Sequence, residues 1–357
     1  MPSVPVYPAS APNAPSLRHV LVAGGAGFIG SSFARNFVRW HPEAQLTVVD
    51  KLTYAGNTEN LAPIWDHSRF RFRQADICDY DAVAPLVAEA DAVVNFAAES
   101  HVDRSILDPD VFVRTNVIGV NTLLRAAREA WAGDDLPRKR FLQVSTDEVY
   151  GHVGEGATAE DAPLKPRNPY SASKAGAELL AFSYHTNFGL PVIVTRGENT
   201  IGPYQYPEKA TPLFITNALE DKPLPIYGEG KAIRHYVFVD DHASAIDLAL
   251  RRGTPGEAYN IGNDEEVNTV ELARCILDLL GKPESLMRFV PDRPGHDYRY
   301  NLDYHKMLAL GWKPQYTFER TIAATVAWYR DNEAWWRKIK AGDYQEYYKR
   351  QYATLAS

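Results

Sequence analysis

Short apolar runs punctuate the first half of the chain, at residues 19–23, 46–49, 69–72, 92–96, 141–144 and 191–194. Each has the length of a strand, and the segments between them are long enough for helices. The first run meets glycines at once, and residues 28–40 then carry apolar side chains at helical spacing, so the order is strand, turn, helix. Repeated alternation of this kind predicts an α/β fold built on a parallel sheet covered on both faces.

Two longer helical patterns follow, at 110–131 and 169–188. Their apolar faces suit either packing on the sheet or burial against a second subunit, and periodicity leaves both readings open. After Thr195 the pattern loosens into pieces punctuated by proline and glycine, which predicts a smaller, mixed α/β lobe. The run at 235–239 and the helical stretch to 250 look like a return to the first lobe. The expected division is therefore 18–195 with 231–257 for the first lobe, and 196–230 with 258–335 for the second. Residues 1–17, rich in Pro, Ser and Ala, read as a mobile extension, and 336–357 as a tail.

Composition removes several function classes. A formal charge of −7 offers no broad basic surface for nucleic acid, and no polybasic run or long apolar segment suits a membrane. Two cysteines make no disulfide framework or Cys-rich metal site, which fits reduced thiols in a cytoplasmic protein. The scattered histidines show no metal-ligand spacing, so no metal is expected.

Residues 24–30 read Gly-Gly-Ala-Gly-Phe-Ile-Gly between the first strand and helix. Glycines at this spacing let the backbone turn sharply and approach a diphosphate, while the helix N-terminus attracts its charge. Gly24, Gly27, Phe28, Ile29 and Gly30 are thus expected at a dinucleotide in a doubly wound, Rossmann-like sheet. Asp50 closes the second strand about twenty residues on. A carboxylate there accepts from both adenosine ribose hydroxyls and repels a 2′-phosphate, which selects NAD over NADP. Asp76 and Ile77 follow the third strand, either holding adenine or making a surface turn. Ala97 and Ala98, after the fourth strand, are small enough for close approach.

Residues 145–151 read Ser-Thr-Asp-Glu-Val-Tyr-Gly at the end of the fifth strand, and Tyr170 and Lys174 share one helix face. An ammonium beside a phenol lowers its pKa and makes a base for an alcohol proton while hydride leaves the carbon. The neighbouring acids Asp147 and Glu148 are either a solvated loop or a pair that divides proton abstraction and donation.

On these motifs, with those at 50–57, 97–105, 202–209 and 292–297, the chain resembles the dTDP-glucose 4,6-dehydratases. These belong to the extended short-chain dehydrogenase/reductases, and the resemblance runs from about residue 18 to 328. It implies a bound NAD, oxidation of a nucleotide-linked hexose at C4, loss of water across C5 and C6, and hydride return to C6. Tyr170 would take the 4-hydroxyl proton, Thr146 would bond the C4 oxygen, Glu148 would take the C5 proton, and Asp147 would protonate the departing C6 hydroxyl. Lys51, Thr53 and Thr115 join the implied cofactor contacts. For the nucleotide diphosphate the resemblance nominates Lys209 and Arg234 as charge partners, Asn199 and Asn268 as hydrogen-bonding groups, and Arg293 and His296 near the phosphates or ribose. Pro225 and Tyr227 would lie beside the base. Ser100 and His101, with Glu99, Asp103 and Arg104, would lie near the sugar and nicotinamide.

One stretch departs from the family, which usually has Cys-Ser-Asn-Asn-Tyr where this chain has Gly197-Glu198-Asn199-Thr200-Ile201. An inward Glu198 would disfavour an anionic substrate. Competing readings are a UDP-glucose dehydratase, an epimerase or decarboxylase of the same superfamily, and a non-catalytic nucleotide-sugar sensor. Epimerases and decarboxylases usually carry a small or hydroxyl residue at the position of Asp147, and Asp50 argues against an NADP-dependent GDP-mannose dehydratase.

Overall fold

β1 (His19–Ala23) runs through the middle of a parallel sheet, and its Val20, Leu21 and Val22 have no exposed surface. The computed structural model describes residues 15, 17–292 and 297–341. Most of the extension at 1–17 and all of the segment 342–357 lie outside these residues, as do Arg293 and His296.

From β1 the chain passes through α1 (Phe28–Trp40), β2 (Gln45–Asp50), β3 (Phe70–Gln74), α2 (Tyr80–Glu89) and β4 (Ala92–Asn95). Short helices α3 (Val102–Leu107) and α4 (Pro109–Phe112) lead to α5 (Val120–Ala130). β5 (Arg140–Thr146), α6 (Pro169–Phe188) and β6 (Val192–Gly197) complete this part. An Asn168 capping box starts α6 and Gly189, left-handed at φ +67°, ends it.

The helical pattern at 110–131 is not one regular helix. Val113–Gly119 is π-helical, and its wider turn gives Asn116 a double hold on the Glu99 backbone, at 2.8 and 3.0 Å, plus a bond to Ser173.

Beyond β6 come β7 (Asn199–Ile201), α7 (Ala210–Leu219), β8 (Leu224–Tyr227), β9 (Ile233–Phe238), α8 (Val239–Arg252) and β10 (Ala258–Ile261). β11 (Glu266–Asn268), α9 (Thr269–Leu280), β12 (Met287–Val290), α10 (His305–Ala309), α11 (Phe318–Asp331) and α12 (Glu333–Lys340) follow. The large sheet has the order β10-β6-β5-β4-β1-β2-β3 with every pairing parallel. Its two faces bury separate apolar layers: Phe33, Phe37 and Ile246 on one side, Leu123, Leu124 and Phe141 on the other. The order reverses between β1 and β4, the kind of switch point at which open α/β sheets bind ligands.

Three boundaries differ from the sequence reading. β9, expected to return to the large sheet with 231–257, pairs instead with β7 and β11 in a small sheet; only α8 returns, burying Ile246 and Leu250 on the large one. β10, assigned to the second lobe, is the seventh strand of the large sheet. An apolar run satisfies either sheet, because alternation does not encode the partner strand. The tail expected from 336 begins inside α12, whose Trp336 is fully buried with Tyr329, Phe214 and Ile276 in the core of the smaller lobe.

Candidate active site

A cleft of ≈ 440 Å³ opens at the C-terminal ends of β1, β2, β4, β5 and β6, and the smaller lobe closes its other side. Of the site residues expected from the sequence, all that are described line it except Arg104 and Asn268, while Arg293 and His296 lie outside the described residues.

Gly24 begins the floor. It is left-handed at φ +74°, and a Cβ there would lie 2.4 Å from the Ala97 backbone nitrogen. Gly30 is equally constrained, since its Cβ would meet the Gly24 carbonyl at 2.4 Å. No side chain caps α1 at Gly27, so its first N–H groups face an opening that suits a diphosphate. Asp50 accepts from the N–H groups of Ala26 (2.9 Å) and Leu52 (2.8 Å), which fixes its carboxylate at the cleft wall. Burial raises its pKa against those two bonds. Lys51 pairs with Asp76 at 2.8 Å; burial opposes the Asp76 charge, but Lys51 and the Cys78 N–H outweigh it and hold the carboxyl below its ordinary range. A glycine cradle, a free helix N-terminus and an anchored carboxylate together fit a dinucleotide with free ribose hydroxyls.

β5 delivers the reacting groups. Thr146 caps the turn Asp147–Tyr150 by accepting from the Glu148 N–H, and its hydroxyl donates to Asp147 Oδ1 at 2.9 Å. Asp147 is buried, and burial followed by the charge of Glu148 pushes it up to about 7. Among the described residues, Asp147 Oδ2 and Glu148 Oε2 are buried without a hydrogen-bond partner, and both residues line the cleft.

α6 supplies Tyr170 and Lys174, both buried. The lysine does not lower the phenol as the spacing suggested. Its ammonium donates to the Val144 carbonyl at 2.5 Å, and burial lowers it to about 8. Tyr170 is instead raised, by burial first and then by Glu148 and Asp147, with Thr146 pulling the other way. A negative phenolate here therefore needs positive charge brought into the cleft.

On the opposite wall Lys209 donates to the Ser100 carbonyl at 2.8 Å, and Arg234 donates to the carbonyls of Ile233 and Asp297. The Arg234 guanidinium also lies 4.6 Å from the centre of the Tyr300 ring. The Tyr227 hydroxyl donates to Asp103 Oδ2 at 3.4 Å. Asn199 lies on the wall, and Glu198 directs its two carboxylate oxygens to the backbone N–H groups of Asn263 and Leu302, each at 3.0 Å. The departure at Glu198 thus serves as a backbone clamp. Asn268 is absent from the wall because its side-chain oxygen caps α9, accepting from Glu271 N in a reciprocal capping box. Only its amide nitrogen is left for a substrate.

Sequence reasoning missed Asn116, Glu208 and Tyr300. Tyr300 is buried on the cleft wall and donates to Asp297 at 2.7 Å, three residues past the motif that drew attention to Arg293 and His296. Asn116 sits directly beside Thr115, which was singled out, but in a run that also holds Arg114, Asn121 and Thr122 its polarity alone gave no signal. Glu208 lay inside the 202–209 motif, with only Lys209 singled out.

Among the described residues no three His, Cys, Asp or Glu side chains are grouped to hold a metal, and no helix is long and apolar enough to cross a membrane. The family model described as GDP-mannose 4,6 dehydratase matches residues 21–325. The chain is 50% identical over 329 residues to a dTDP-glucose 4,6-dehydratase of Streptomyces niveus, covering 91% of this chain and 96% of that one. It is 46% identical over 356 residues to dTDP-glucose 4,6-dehydratase 1 of Escherichia coli K12, covering 93% and 98%. Its structure matches that of the dTDP-glucose 4,6-dehydratase of Streptomyces venezuelae with NAD and TYD bound, at a TM-score of 0.87 and 48% identity, covering 90% of this chain and 100% of that one. Agreement over nearly the full length of these relatives, in sequence and in fold, makes the chain a member of the dTDP-glucose 4,6-dehydratase family of extended short-chain dehydrogenase/reductases.

Proposed function

We propose that the chain converts dTDP-glucose to dTDP-4-keto-6-deoxyglucose with NAD as its cofactor, the activity for which its relatives are named. The observation that carries this reading is the pair Asp147 and Glu148 beside Tyr170 in one cleft, with Asp147 raised to about 7 by burial and by Glu148, so that a large share of it keeps its proton near neutrality. An epimerase needs Tyr170, Lys174 and a hydroxyl donor, and has no use for a neutral buried acid next to a carboxylate.

Bound NAD supplies a positively charged ring that accepts hydride from C4 and gives it back at C6. Tyr170 takes the proton of the 4-hydroxyl, and Lys174 keeps positive charge on the same helix face. The Thr146 hydroxyl, turned from Asp147 toward the substrate, donates to the C4 oxygen as it becomes a ketone. That ketone makes the C5 proton acidic, and Glu148 removes it. Asp147 gives its proton to the C6 hydroxyl, which leaves as water, and Glu148 later returns a proton to C5. Lys209 and Arg234 hold the diphosphate, Pro225 and Tyr227 flank the base, and the nucleotide sugar sits mainly on the smaller lobe.

The test is to incubate Glu148→Gln with dTDP-glucose in deuterated solvent. Expected is retained oxidation at C4 with C5 exchange reduced by ~10²-fold or more. Normal exchange in the variant would remove Glu148 from the role of base. Parallel incubations with UDP-glucose and GDP-mannose, scored by loss of one water in the mass of the product, test the choice of nucleotide.

The same proposal includes a homodimer through the helical run 109–130 and α6, where Val113, Ile118 and Leu179 remain 49%, 52% and 58% exposed. Sedimentation as a monomer would overturn it. The free thiols of Cys78 and Cys275 suit a reducing cytoplasm, which cell fractionation tests.

A further inference from the structure

The segment between β7 and α7 reaches from the smaller lobe to three separate parts of the cofactor lobe. Glu208, its carboxylate 2% exposed, accepts from Arg104 Nε at 2.9 Å. Arg104 belongs to α3, beyond the loop that follows β4, and its guanidinium lies 4.0 Å over the ring of Tyr54. Tyr54 stands four residues beyond Asp50, and Tyr206 meets its ring edge-on at 5.4 Å. Next to Glu208, Lys209 donates to the Ser100 carbonyl at 2.8 Å.

These contacts join the two sides of the cleft. Thr53, Ala55 and Ser100 on one side, with Tyr206, Glu208 and Lys209 on the other, line the same opening. A dinucleotide anchored by Asp50 and the Gly24 cradle thus lies behind a bridge whose central member is a buried ion pair. The proton chemistry uses neither Arg104 nor Glu208, although both are charged and desolvation makes a lone buried charge costly. Burial raises the Glu208 carboxyl, and Arg104 followed by Lys209 works against that rise. Burial and the Glu208 charge likewise hold the Tyr54 phenol well above its ordinary value, so tyrosine remains neutral under the guanidinium.

We propose that Glu208 is a positioning residue that latches the smaller lobe onto the cofactor lobe through Arg104 and Tyr54, and so retains the dinucleotide between turnovers. The latch joins elements that carry the cofactor contacts on one side and substrate contacts on the other. Breaking it frees the Asp50–Gly56 loop and α3 to move away from the opening. The inference rests on the NAD reading above and adds residues to it that the chemistry does not require.

The test compares holoenzyme and Glu208→Gln, which keeps the side-chain volume and removes the charge. NAD is first quantified in acid extracts of freshly purified wild type; a wild type without NAD would defeat the cofactor reading itself. Exchange of bound NAD for isotopically labelled NAD is then followed by mass spectrometry of the extracts. E208Q is expected to exchange at least tenfold faster than wild type, measured at saturating NAD and at a temperature where circular dichroism shows both proteins folded. Arg104→Met should show a comparable increase, and the double variant should be no faster than the faster single one, because both changes break one contact. If E208Q fails to fold, Tyr54→Leu gives the same reading through the other arm of the bridge, with an expected increase of several-fold. Wild-type exchange rates in a folded E208Q or Y54L protein, or full additivity in the double variant, would overturn the latch.

Discussion

The Thr146 hydroxyl donates to Asp147 Oδ1 over 2.9 Å, inside a site that buries both residues. Burial, and after it the charge of Glu148, pushes Asp147 up to about 7 in spite of that bond. The sign of the pH effect follows. An acid that must arrive protonated is active below its pKa and is lost as pH rises through it. Water elimination should therefore decline by about tenfold per pH unit on the alkaline side of neutrality. Asp147→Asn should abolish this limb and slow product formation by ~10²–10⁴-fold, while C5 exchange continues because Glu148 is untouched. Rates of product formation and of deuterium uptake, measured across pH in both proteins, check this. A limb that stays near neutrality after the substitution, instead of retreating to the higher pH set by Lys174, would assign the donated proton to another group.

Asp50 is the second place where one side chain does two tasks. Its oxygens fix the Ala26 and Leu52 N–H groups, and Leu52 itself adopts φ +59° to bring its N–H round to the carboxylate. Asp50→Asn replaces one acceptor by a donor, so one of these bonds and one ribose bond should fail together. Two bonds to a charged group are worth roughly 1.5–3 kcal/mol each. Affinity of the NAD-free protein for NAD should therefore fall at least tenfold. Loss of the negative charge should also narrow the preference for NAD over NADP. Calorimetric titration with each dinucleotide measures both effects; unchanged NAD affinity would remove Asp50 from the ribose.

Six of the seven strands of the large sheet were legible, as short apolar or alternating runs, and the glycine turn, Asp50, Tyr170 and Lys174 occupy fixed places relative to those runs; β10 was not among them. Partner choice was not legible: β9 and β10 carry similar apolar residues, yet one joins the small sheet and the other the large one. A π turn adds a single residue to a helical turn, so Val113–Gly119 leaves no trace in the apolar spacing, although it is what brings Asn116 to Glu99. Asn268 shows the opposite failure. The sequence Asn-Thr-Val-Glu carries the reciprocal capping pattern, and a resemblance to substrate-binding residues drew attention away from it. Lys174 was placed on the right face, but spacing cannot say that its ammonium turns toward the Val144 carbonyl.

One turn beyond Lys174, Glu178 is fully buried and grips the Arg196 guanidinium with two bonds, at 3.0 and 3.2 Å. Arg196 continues to the Tyr150 hydroxyl at 2.6 Å, and Tyr150 donates to Asn260 at 2.9 Å, so α6, β6 and β10 share one polar chain. Glu178→Ala leaves a buried guanidinium without its carboxylate, and breaking such a pair costs about 3–5 kcal/mol. Urea denaturation checks that loss, with Glu178→Gln as a milder variant should the alanine protein not fold. A second effect separates chemistry from stability. Burial holds Lys174 down to about 8, and the Glu178 charge opposes that burial. Removing the anion lowers Lys174 further, so its positive charge disappears at lower pH. The alkaline limb of C5 exchange, which requires Tyr170 and Lys174 but not Asp147, should then move toward acid in Glu178→Gln. A destabilised variant whose exchange limb stays in place would confine Glu178 to holding the fold.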